Sequence, residues 1–491
     1  MEGSAMESMP IRARKRTPQY EQLAADLSRL IEKGTYRHGD RIPSVRQASR
    51  ERGLSVSTVL QAYQLLEMRG WIEARPQSGY YVRPRPVLTP PEPALVTTQI
   101  EPKTVSLDDM VLRMLHESTL PGVIQFGAAI PDPDLLPTRK LNKLMAAAAR
   151  TNDPRLLGSG VPEGIEELRV AVAQRALHSG AELPPDEILI TNGTMEALSL
   201  SLCTICEPGD LVAVESPTYF GVLQALETHN LRVLEIPTHH ETGISLEALR
   251  FALEHHPVKT MVLVTNFSNP LGSLMTDENK QRLVEMLEEF DIPLIEDDIY
   301  GELHFDQTRP RVARSYDTQG RVLLCSSFSK DISPSYRVGW LAPGRYFKQV
   351  RRRKMALNLG TAPLPQMAVS AYMTSGGYDL YLRRLRREYE NRMALMGQAV
   401  LNHFPGGTRV TSPRGGYVLW VQLPEGVDSM RLYEPALAQG ISIAPGYMFS
   451  VTPKYRSYIR LNAAFWSYRA LSALENLARL VAQEAGGWTS D

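Results

Sequence analysis

Residues 326–330 read Ser-Ser-Phe-Ser-Lys, and residues 337–340 read Arg-Val-Gly-Trp. The apolar run Val322–Cys325 ahead of them predicts a strand, which puts Lys330 on the loop beyond its carboxyl end. An amine among hydroxyls, with an arginine seven residues on, suits a phosphorylated aldehyde. The amine forms an imine, and Ser327 and Arg337 hold the phosphate, arginine by presenting several donors in a planar fork. A lone lysine is nearly always a surface charge, so the reading depends on what the rest of the chain sets beside it.

Three other stretches fall at the ends of predicted strands. Thr191-Asn192-Gly193-Thr194-Met195-Glu196-Ala197 follows the strand Ile188–Ile190 and opens a helix. Backbone N–H groups at a helix start bind phosphate, and glycine lets the backbone come close. Leu294-Ile295-Glu296-Asp297-Asp298-Ile299-Tyr300 ends a buried strand on an acid. Such an acid is costly without a partner, and a pyridinium nitrogen is one. Keeping that nitrogen protonated makes the ring an electron sink, the property that pyridoxal 5′-phosphate (PLP) chemistry needs. Tyr300, three residues on, and Asn269, in Asn266-Phe267-Ser268-Asn269-Pro270-Leu271-Gly272, are placed to reach the phenolic oxygen of the ring. Near the C-terminus, Tyr458-Ile459-Arg460-Leu461-Asn462 sets an arginine in an apolar strand. It calls for a carboxylate, either that of an amino-acid substrate or that of a structural salt bridge. Taken singly, each stretch has an ordinary structural explanation. Their common position beyond strand ends points to one PLP site.

The surrounding chain has the organisation such a site needs. Apolar runs at Glu187–Thr191, Leu211–Glu215, Thr260–Thr265, Ile292–Glu296 and Val322–Cys325 alternate with amphipathic segments such as Asp277–Phe290. This predicts a mostly parallel sheet with helices on both faces, where ligands bind at the carboxyl ends of the strands. Pro86, Pro90, Pro91, Pro93 and Pro102 mark residues 86–105 as a semi-rigid spacer. It divides a head, residues 16–85, from a body, residues 106–491.

The head reads as three helices and a hairpin. Tyr20–Lys33 puts Leu23, Ala24, Leu27, Leu30 and Ile31 on one face, ended by Gly34. Ser44 with Gln47 fits a capping box for a second helix that Gly53 closes. Ser55 caps a third, with Val59, Ala62, Leu65 and Leu66 buried and Gly70 at its end. Trp71–Val82, turning near Pro76–Gly79, forms a two-stranded wing. This is helix-turn-helix geometry, with the third helix in the major groove of double-stranded DNA. Ser57, Thr58, Gln61 and Tyr63 lie near its N-terminal half, and Arg41, Arg46 and Arg75 are placed to meet phosphates. Ser44, Ser55 and Gly79 complete the expected DNA-facing set. A three-helix packing module without DNA is the plainer alternative. Charge agrees with DNA binding: residues 1–86 hold 15 Lys/Arg and 9 Asp/Glu, and the remainder 39 and 45, a basic head on an acidic body.

The stretch R-I-P-S-V-R-Q, through S-T-V-L-Q-A-Y-Q-L-L-E-M-R-G-W-I, to S-G-Y-Y-V resembles the GntR family of bacterial regulators. That family often has Arg shortly after the cap of the third helix, where this chain has Val56. The body, from roughly Ile124 to the end, resembles fold-type I, class I/II aminotransferases in S-x-S-K-x6-R-V-G, N-P-x-G and D-x-x-Y. By that resemblance Lys330 is the Schiff-base lysine and Asp297 pairs with the pyridine nitrogen. Asn269 and Tyr300 contact the ring oxygen, and Tyr219, in Ser216-Pro217-Thr218-Tyr219-Phe220-Gly221, stacks on the ring. Gly193, Thr194, Ser327 and Arg337 form the phosphate cup, and Arg460 takes the substrate carboxylate. Lys330, Asp297 and Tyr300 would be the catalytic residues. A smaller C-terminal α/β subdomain is implied from about residue 385, and a homodimer is implied because such sites are commonly completed across an interface. Relatives commonly place a Tyr reaching the neighbouring phosphate where this chain has Ser159. Head and body together resemble the MocR subgroup of GntR regulators, in which the aminotransferase-like domain serves as effector-binding region.

Other features bound the function. No apolar run approaches the ~18 residues of a membrane span, and Met1–Tyr20 lacks the apolar core of a secretory signal, so the expected location is the cytoplasm. Cys203, Cys206 and Cys325 are too few for a disulfide framework. No second pair completes a zinc site around Cys203 and Cys206, which read as helix-packing residues, and no metal is expected. Three functions compete. One is a regulator sensing PLP, an amine or an amino acid through imine exchange at Lys330. The second is a working transaminase that carries a DNA-binding head, and the third a regulator whose body binds no cofactor. The first is preferred.

Overall fold

A computed structural model of the protein describes residues 18–32, 35–36, 39–68, 70–75, 78–82, 91–96, 100–105, 110–117, 120–151, 153–156, 158 and 160–486. The chain divides into two compact units between Thr89 and Pro90.

The first unit holds helices α1 (Gln19–Glu32), α2 (Val45–Arg52) and α3 (Val56–Met68), followed by the antiparallel hairpin of β1 (Ile72–Arg75) and β2 (Gly79–Val82). Its core is Leu23, Ala24, Leu27, Ile42, Ala48, Val59, Ala62, Tyr63, Leu66, Ile72 and Val82. Ser44 caps α2 by accepting the Gln47 N–H at 3.3 Å. The expected capping box is one-sided, because the Gln47 side chain donates forward to Glu51 instead. Gly53 closes α2 at φ +63°, a left-handed conformation that costs glycine little. Gly34 and Pro76, expected to end α1 and to shape the wing turn, lie outside the described residues.

The second unit opens with the short strand β3 (Lys103–Thr104), α4 (Met110–Glu117), β4 (Ile124–Gln125), α5 (Thr138–Ala149) and α6 (Glu166–Ala176). Strands and helices then alternate: β5 (Leu189–Thr191), α7 (Thr194–Ile205), β6 (Leu211–Ser216), α8 (Phe220–Thr228), β7 (Arg232–His239), β8 (Gly243–Ile244), α9 (Leu246–His255), β9 (Val258–Leu263), α10 (Asp277–Glu289), β10 (Leu294–Asp297), β11 (Val322–Ser327) and β12 (Gly339–Ala342). The main sheet runs β3-β7-β6-β9-β10-β11-β12-β5, with β8 paired to β7. From β7 to β11 neighbours are parallel, while β12 is antiparallel to both β11 and β5. Both faces are covered. Val212 and Val214 pack with α7 and α8, and Leu211 and Ala213 with α9 and α10. A strand buried on both faces must be apolar at every position, which is why its runs are unbroken.

The rest comprises α11 (Phe347–Asn358), α12 (Pro363–Thr374), α13 (Gly377–His403), β13 (Arg409–Val410), β14 (Val418–Gln422), α14 (Ser429–Ala438), β15 (Ile441–Ser442), β16 (Ala444–Pro445), β17 (Tyr458–Asn462) and α15 (Tyr468–Gly486). Strands β13-β14-β17-β16 make a smaller antiparallel sheet. Helix α13 serves two cores. Tyr378, Leu382, Leu385 and Tyr389 pack into the core of the main sheet, and Met393, Met396 and Val400 into that of the smaller one. Part of the stretch expected to be a spacer is built onto this unit: Pro91 O accepts the Val410 N–H, and β3 pairs with β7. The three cysteines are free, and Cys206 packs in the core beside α7.

Candidate cofactor site and nucleic-acid-binding face

Lys330 lies three residues beyond β11. Its Nζ donates to Ala129 O at 2.7 Å, which also receives the Tyr417 hydroxyl at 3.2 Å, and it stands 5.6 Å from the centre of the Tyr300 ring. Burial first, then the charges of Arg460 and Arg337, push its amine down to about 8, against the opposing pull of Asp297. A lysine so placed is far more often neutral, and so nucleophilic, than a surface lysine.

Asp297 ends β10, opposite Cys325 of β11. Burial, then the neighbouring Asp298, push its carboxyl up to about 7. Of the adjacent acids, Asp298 is already engaged by Asn266 and Arg309, whereas among the described residues Asp297 accepts only the Ile299 N–H. A cation beside Asp297 would relieve the cost of its buried charge. The Tyr300 hydroxyl is sealed from solvent beside Tyr417, and burial raises its pKa. Tyr219 stands just before α8. A Cβ on Gly221 would come within 2.4 Å of the Tyr219 ring, so the glycine in S-P-T-Y-F-G lets that ring fold back over its own helix.

Arg460 is fully buried at 0 % exposure. Its Nη1 donates to Asn269 Oδ1 at 3.0 Å, Nη2 donates to Gly127 O, and Nε has no partner among the described residues. Its guanidinium lies 5.2 Å over the Phe449 ring. At the start of α7, Gly193 holds φ +79°, and a Cβ there would sit 2.5 Å from Arg337 Nη2. Arg337 Nη2 donates to Asn192 O at 3.0 Å. The Thr194 hydroxyl opens α7 buried and unpartnered, and Ser327 Oγ accepts the Ser329 N–H at 3.4 Å.

These residues fit PLP. A nucleophilic amine, a buried acid, a buried phenol and an arginine beside a helix start would suit the aldehyde, ring nitrogen, ring oxygen and phosphate in turn. The Thr194 hydroxyl, without a partner among the described residues, is otherwise an unexplained buried polar group.

On the first unit, Ser55, Ser57 and Thr58 cluster at the start of α3. Ser55 Oγ accepts the Thr58 N–H at 3.1 Å and lies 2.9 Å and 2.7 Å from the hydroxyls of Ser57 and Thr58. Gln61 is exposed one turn on, and Val56 is 52 % exposed beside the cluster. Arg41 and Arg46 are exposed. Gly79, at φ +110°, leaves room for Arg41, whose Nε would lie 3.2 Å from an added Cβ. Arg75 pairs with Glu73 and lies over the Tyr81 ring. Tyr63 corrects the sequence reading. Expected among the DNA-facing residues, it is fully buried, and its hydroxyl donates to Pro43 O at 2.7 Å. It follows Ala62 on the buried side of α3, where a tyrosine with a hydrogen-bonded hydroxyl serves as core.

Comparison with known proteins agrees with both halves. Residues 123–472 match the family described as aminotransferase class I and II, and residues 19–82 match the bacterial regulatory proteins of the gntR family. The HTH-type transcriptional regulator YdcR of Escherichia coli (strain K12) is 41 % identical over 463 residues, covering 94 % of this chain and 98 % of that protein. The HTH-type transcriptional regulator YjiR of the same strain is 41 % identical over 445 residues, 91 % of this chain and 94 % of that protein. The chain belongs to the MocR subgroup of the GntR regulators. Among solved structures, a multiple substrate aminotransferase from Thermococcus profundus is 26 % identical with a TM-score of 0.72, covering 78 % of this chain and 96 % of that one. LysN, an α-aminoadipate aminotransferase from Thermus thermophilus, solved with N-(5′-phosphopyridoxyl)-L-leucine, is 27 % identical with a TM-score of 0.70, covering 77 % and 100 %. This MocR protein is thus a helix-turn-helix head followed by a fold-type I aminotransferase domain.

Sequence reasoning missed several residues of this MocR site. Tyr417 shares Ala129 O with Lys330 and meets the Tyr300 ring edge-on at 5.7 Å. Asn462 holds the segment under Lys330 by donating to Ala128 O and Ile130 O; it stands in the quoted Y-I-R-L-N without a role. Beside Gly193 and Thr194, Glu196 accepts from Lys354 and Asn358 and also takes the Asn192 N–H. Lys354 and Asn358 come from α11, a partnership that no spacing reveals. Ser159, the departure beside the expected phosphate contact, lies outside the described residues. Among the described residues, no helix is long and apolar enough to cross a membrane.

Proposed function

We propose that this MocR regulator binds double-stranded DNA through α3 and holds PLP at Lys330, and that an amino acid or amine reaching the PLP changes its DNA affinity. The observation that carries the reading is the Lys330 amine, pushed down to about 8 beside the buried Asp297 and Arg460, in a chain whose head is a GntR helix-turn-helix. PLP, when bound, supplies an aldehyde carbon open to primary amines and a ring that draws electrons from it.

Each residue has one job. Lys330 provides a neutral amine. Asp297 holds a proton on the ring nitrogen, Tyr300 and Asn269 orient the ring oxygen, and Tyr219 covers one ring face. Gly193, Thr194, Ser327 and Arg337 hold the phosphate. Arg460 selects a carboxylate, favouring amino acids over simple amines. LysN, solved with a phosphopyridoxyl amino acid, supports this chemistry for the fold. A homodimer is supported by the exposed Val161, Met195, Met355, Leu357 and Leu359, close to the phosphate end: Val161 O lies 2.8 Å from a Cβ built on Gly360. Apolar side chains gathered on one exposed patch mark interaction surfaces.

The test is operator affinity of the full chain without PLP, with PLP, and with PLP plus candidate amino acids. A change of at least about fivefold, the lower range of allosteric coupling, is expected with one of them. No change with any ligand overturns the regulatory reading. Steady keto-acid release, with conversion to pyridoxamine phosphate, would instead favour a working transaminase.

A further inference from the structure

The segment 91–96 crosses the backs of the elements that carry Tyr219, Asn269 and Arg460. Pro91 O accepts the Val410 N–H of β13 at 3.1 Å, and the Ala94 N–H donates to Gln422 Oε1, at the end of β14, at 2.9 Å. The Tyr458 hydroxyl at the start of β17 lies 3.5 Å from Ala94 O. These ties bind the segment to the smaller sheet, the one that holds Arg460. A further tie binds it to the main sheet: the Glu92 carboxylate meets the His240 ring just beyond β7.

Beneath the segment, Pro93–Val96 close a cavity with Pro217, Leu271, Trp420, Tyr455 and Tyr458. Val96 and Tyr219 pack against one apolar cluster with Phe220, Leu271, Trp420, Ala444 and Phe449. Phe220 follows the ring-covering Tyr219, and Leu271 is two residues past Asn269. Trp420 and Ala444 flank Arg460 in register, and Phe449 lies under its guanidinium. One cluster therefore backs all three ligand-facing side chains and has the segment as its lid. Prolines at 91 and 93 stiffen it, and only eight residues separate it from Val82 of the head.

We propose that residues 91–96 form a strap that converts occupancy of Arg460 into tension on the chain leading to the head. This rests on the regulatory reading above. A carboxylate arriving at Arg460 competes with Asn269 Oδ1 and Gly127 O for its guanidinium. Any resulting shift of β17 against the Asn269 loop moves the smaller sheet relative to β7. The strap is tied to both and must give at one of them. Coupling of this kind needs an element whose position both sites bias.

The experiment uses the PLP-loaded full chain with glutamate and leucine as amino-acid probes. Amide hydrogen exchange across 91–96 is measured with and without each, beside the visible spectrum and operator affinity. A probe that changes the spectrum is expected to change strap exchange at least threefold, and Arg460→Met to abolish that change. Glu92→Gln and Gln422→Ala are each expected to keep the spectral response at the same probe concentration while losing most of the effect on operator affinity. Strap exchange that ignores a spectrally active probe overturns the proposal, as does full coupling in both variants. If strap exchange responds but operator affinity does not, the strap moves with the site and the regulatory reading is what fails. If neither probe alters the spectrum, amino-acid entry is wrong, and Arg460 occupancy as the trigger falls with it.

Discussion

The lowered affinity of Lys330 for its proton can be tested directly. Capture of PLP requires the neutral amine, so its rate should follow the neutral fraction. With a pKa of about 8, roughly a quarter of the amine is neutral at about pH 7.5, against about 0.1 % for an ordinary lysine near 10.4, a ratio of about 200-fold. Stopped-flow mixing of apo-protein with PLP, followed by visible absorbance from pH 6 to 10, should give a rate that rises through a midpoint near pH 8 and levels off about one pH unit higher. Arg460→Met removes the largest charge opposing protonation and should move the midpoint up; Asp297→Asn removes the charge that favours protonation and should move it down. A rate still climbing steeply at pH 10, or a midpoint indifferent to both substitutions, would refute the argument. Stability has a matching sign. The folded chain binds this proton more weakly than the unfolded one, so Lys330 lowers apo-protein stability below about pH 8, and the loss is relieved as pH rises toward the ordinary lysine value.

Asp297→Asn should raise the apo melting temperature by a few degrees at pH 8, where the buried carboxylate is ionised and costly, while weakening PLP at least tenfold by fluorescence titration; a lower melting temperature would contradict the account of Asp297. Gly193→Ala forces a Cβ into Arg337 and displaces a charge-assisted phosphate bond of about 1.5–3 kcal/mol, so the PLP dissociation constant should rise roughly tenfold or more; an unchanged constant would remove Arg337 from the cup. Tyr63→Phe strips a buried hydrogen bond of about 1 kcal/mol and should lower the melting temperature while leaving operator affinity unchanged below the melt. Gln61→Ala should do the reverse, and equal loss of affinity in both would restore Tyr63 to the DNA face.

How much was legible in the chain depended on how local the signal was. The strand runs at Leu211, Thr260 and Val322 were readable because a sheet buried on both faces needs unbroken apolar residues. Four of the five predicted strands begin or end two residues from their expected bounds: β5 starts only at Leu189, after a tight turn over Pro185–Glu187, β9 spans 258–263, β10 starts at Leu294, and β11 runs on to Ser327. Lys330, Asp297 and Arg337 could be singled out because each lies at a strand end or on the loop between two strands with a distinctive neighbour pattern. Tyr63 was misplaced because polarity and nearness to the helix start outweighed its place on the buried side, and only the Pro43 carbonyl explains a buried hydroxyl there.

The sequence alone determined the order of parts: a basic winged head, a proline-marked junction and a body with a lysine among serines after a strand. These follow from periodicity, caps and strand-end chemistry, which act over a few residues. Tertiary structure alone showed why Asp298 is the engaged one of the adjacent acids, because Asn266 and Arg309, brought in from other loops, claim it. It alone brought Tyr417, Asn462 and Lys354 to the site from far along the chain. It also turned part of the supposed spacer into a strap, since a proline-rich segment reads as a linker until its Pro91 and Ala94 backbone groups find partners in the smaller sheet. Hydrogen bonds between residues hundreds apart leave no periodic trace, and only the folded chain brings those groups together.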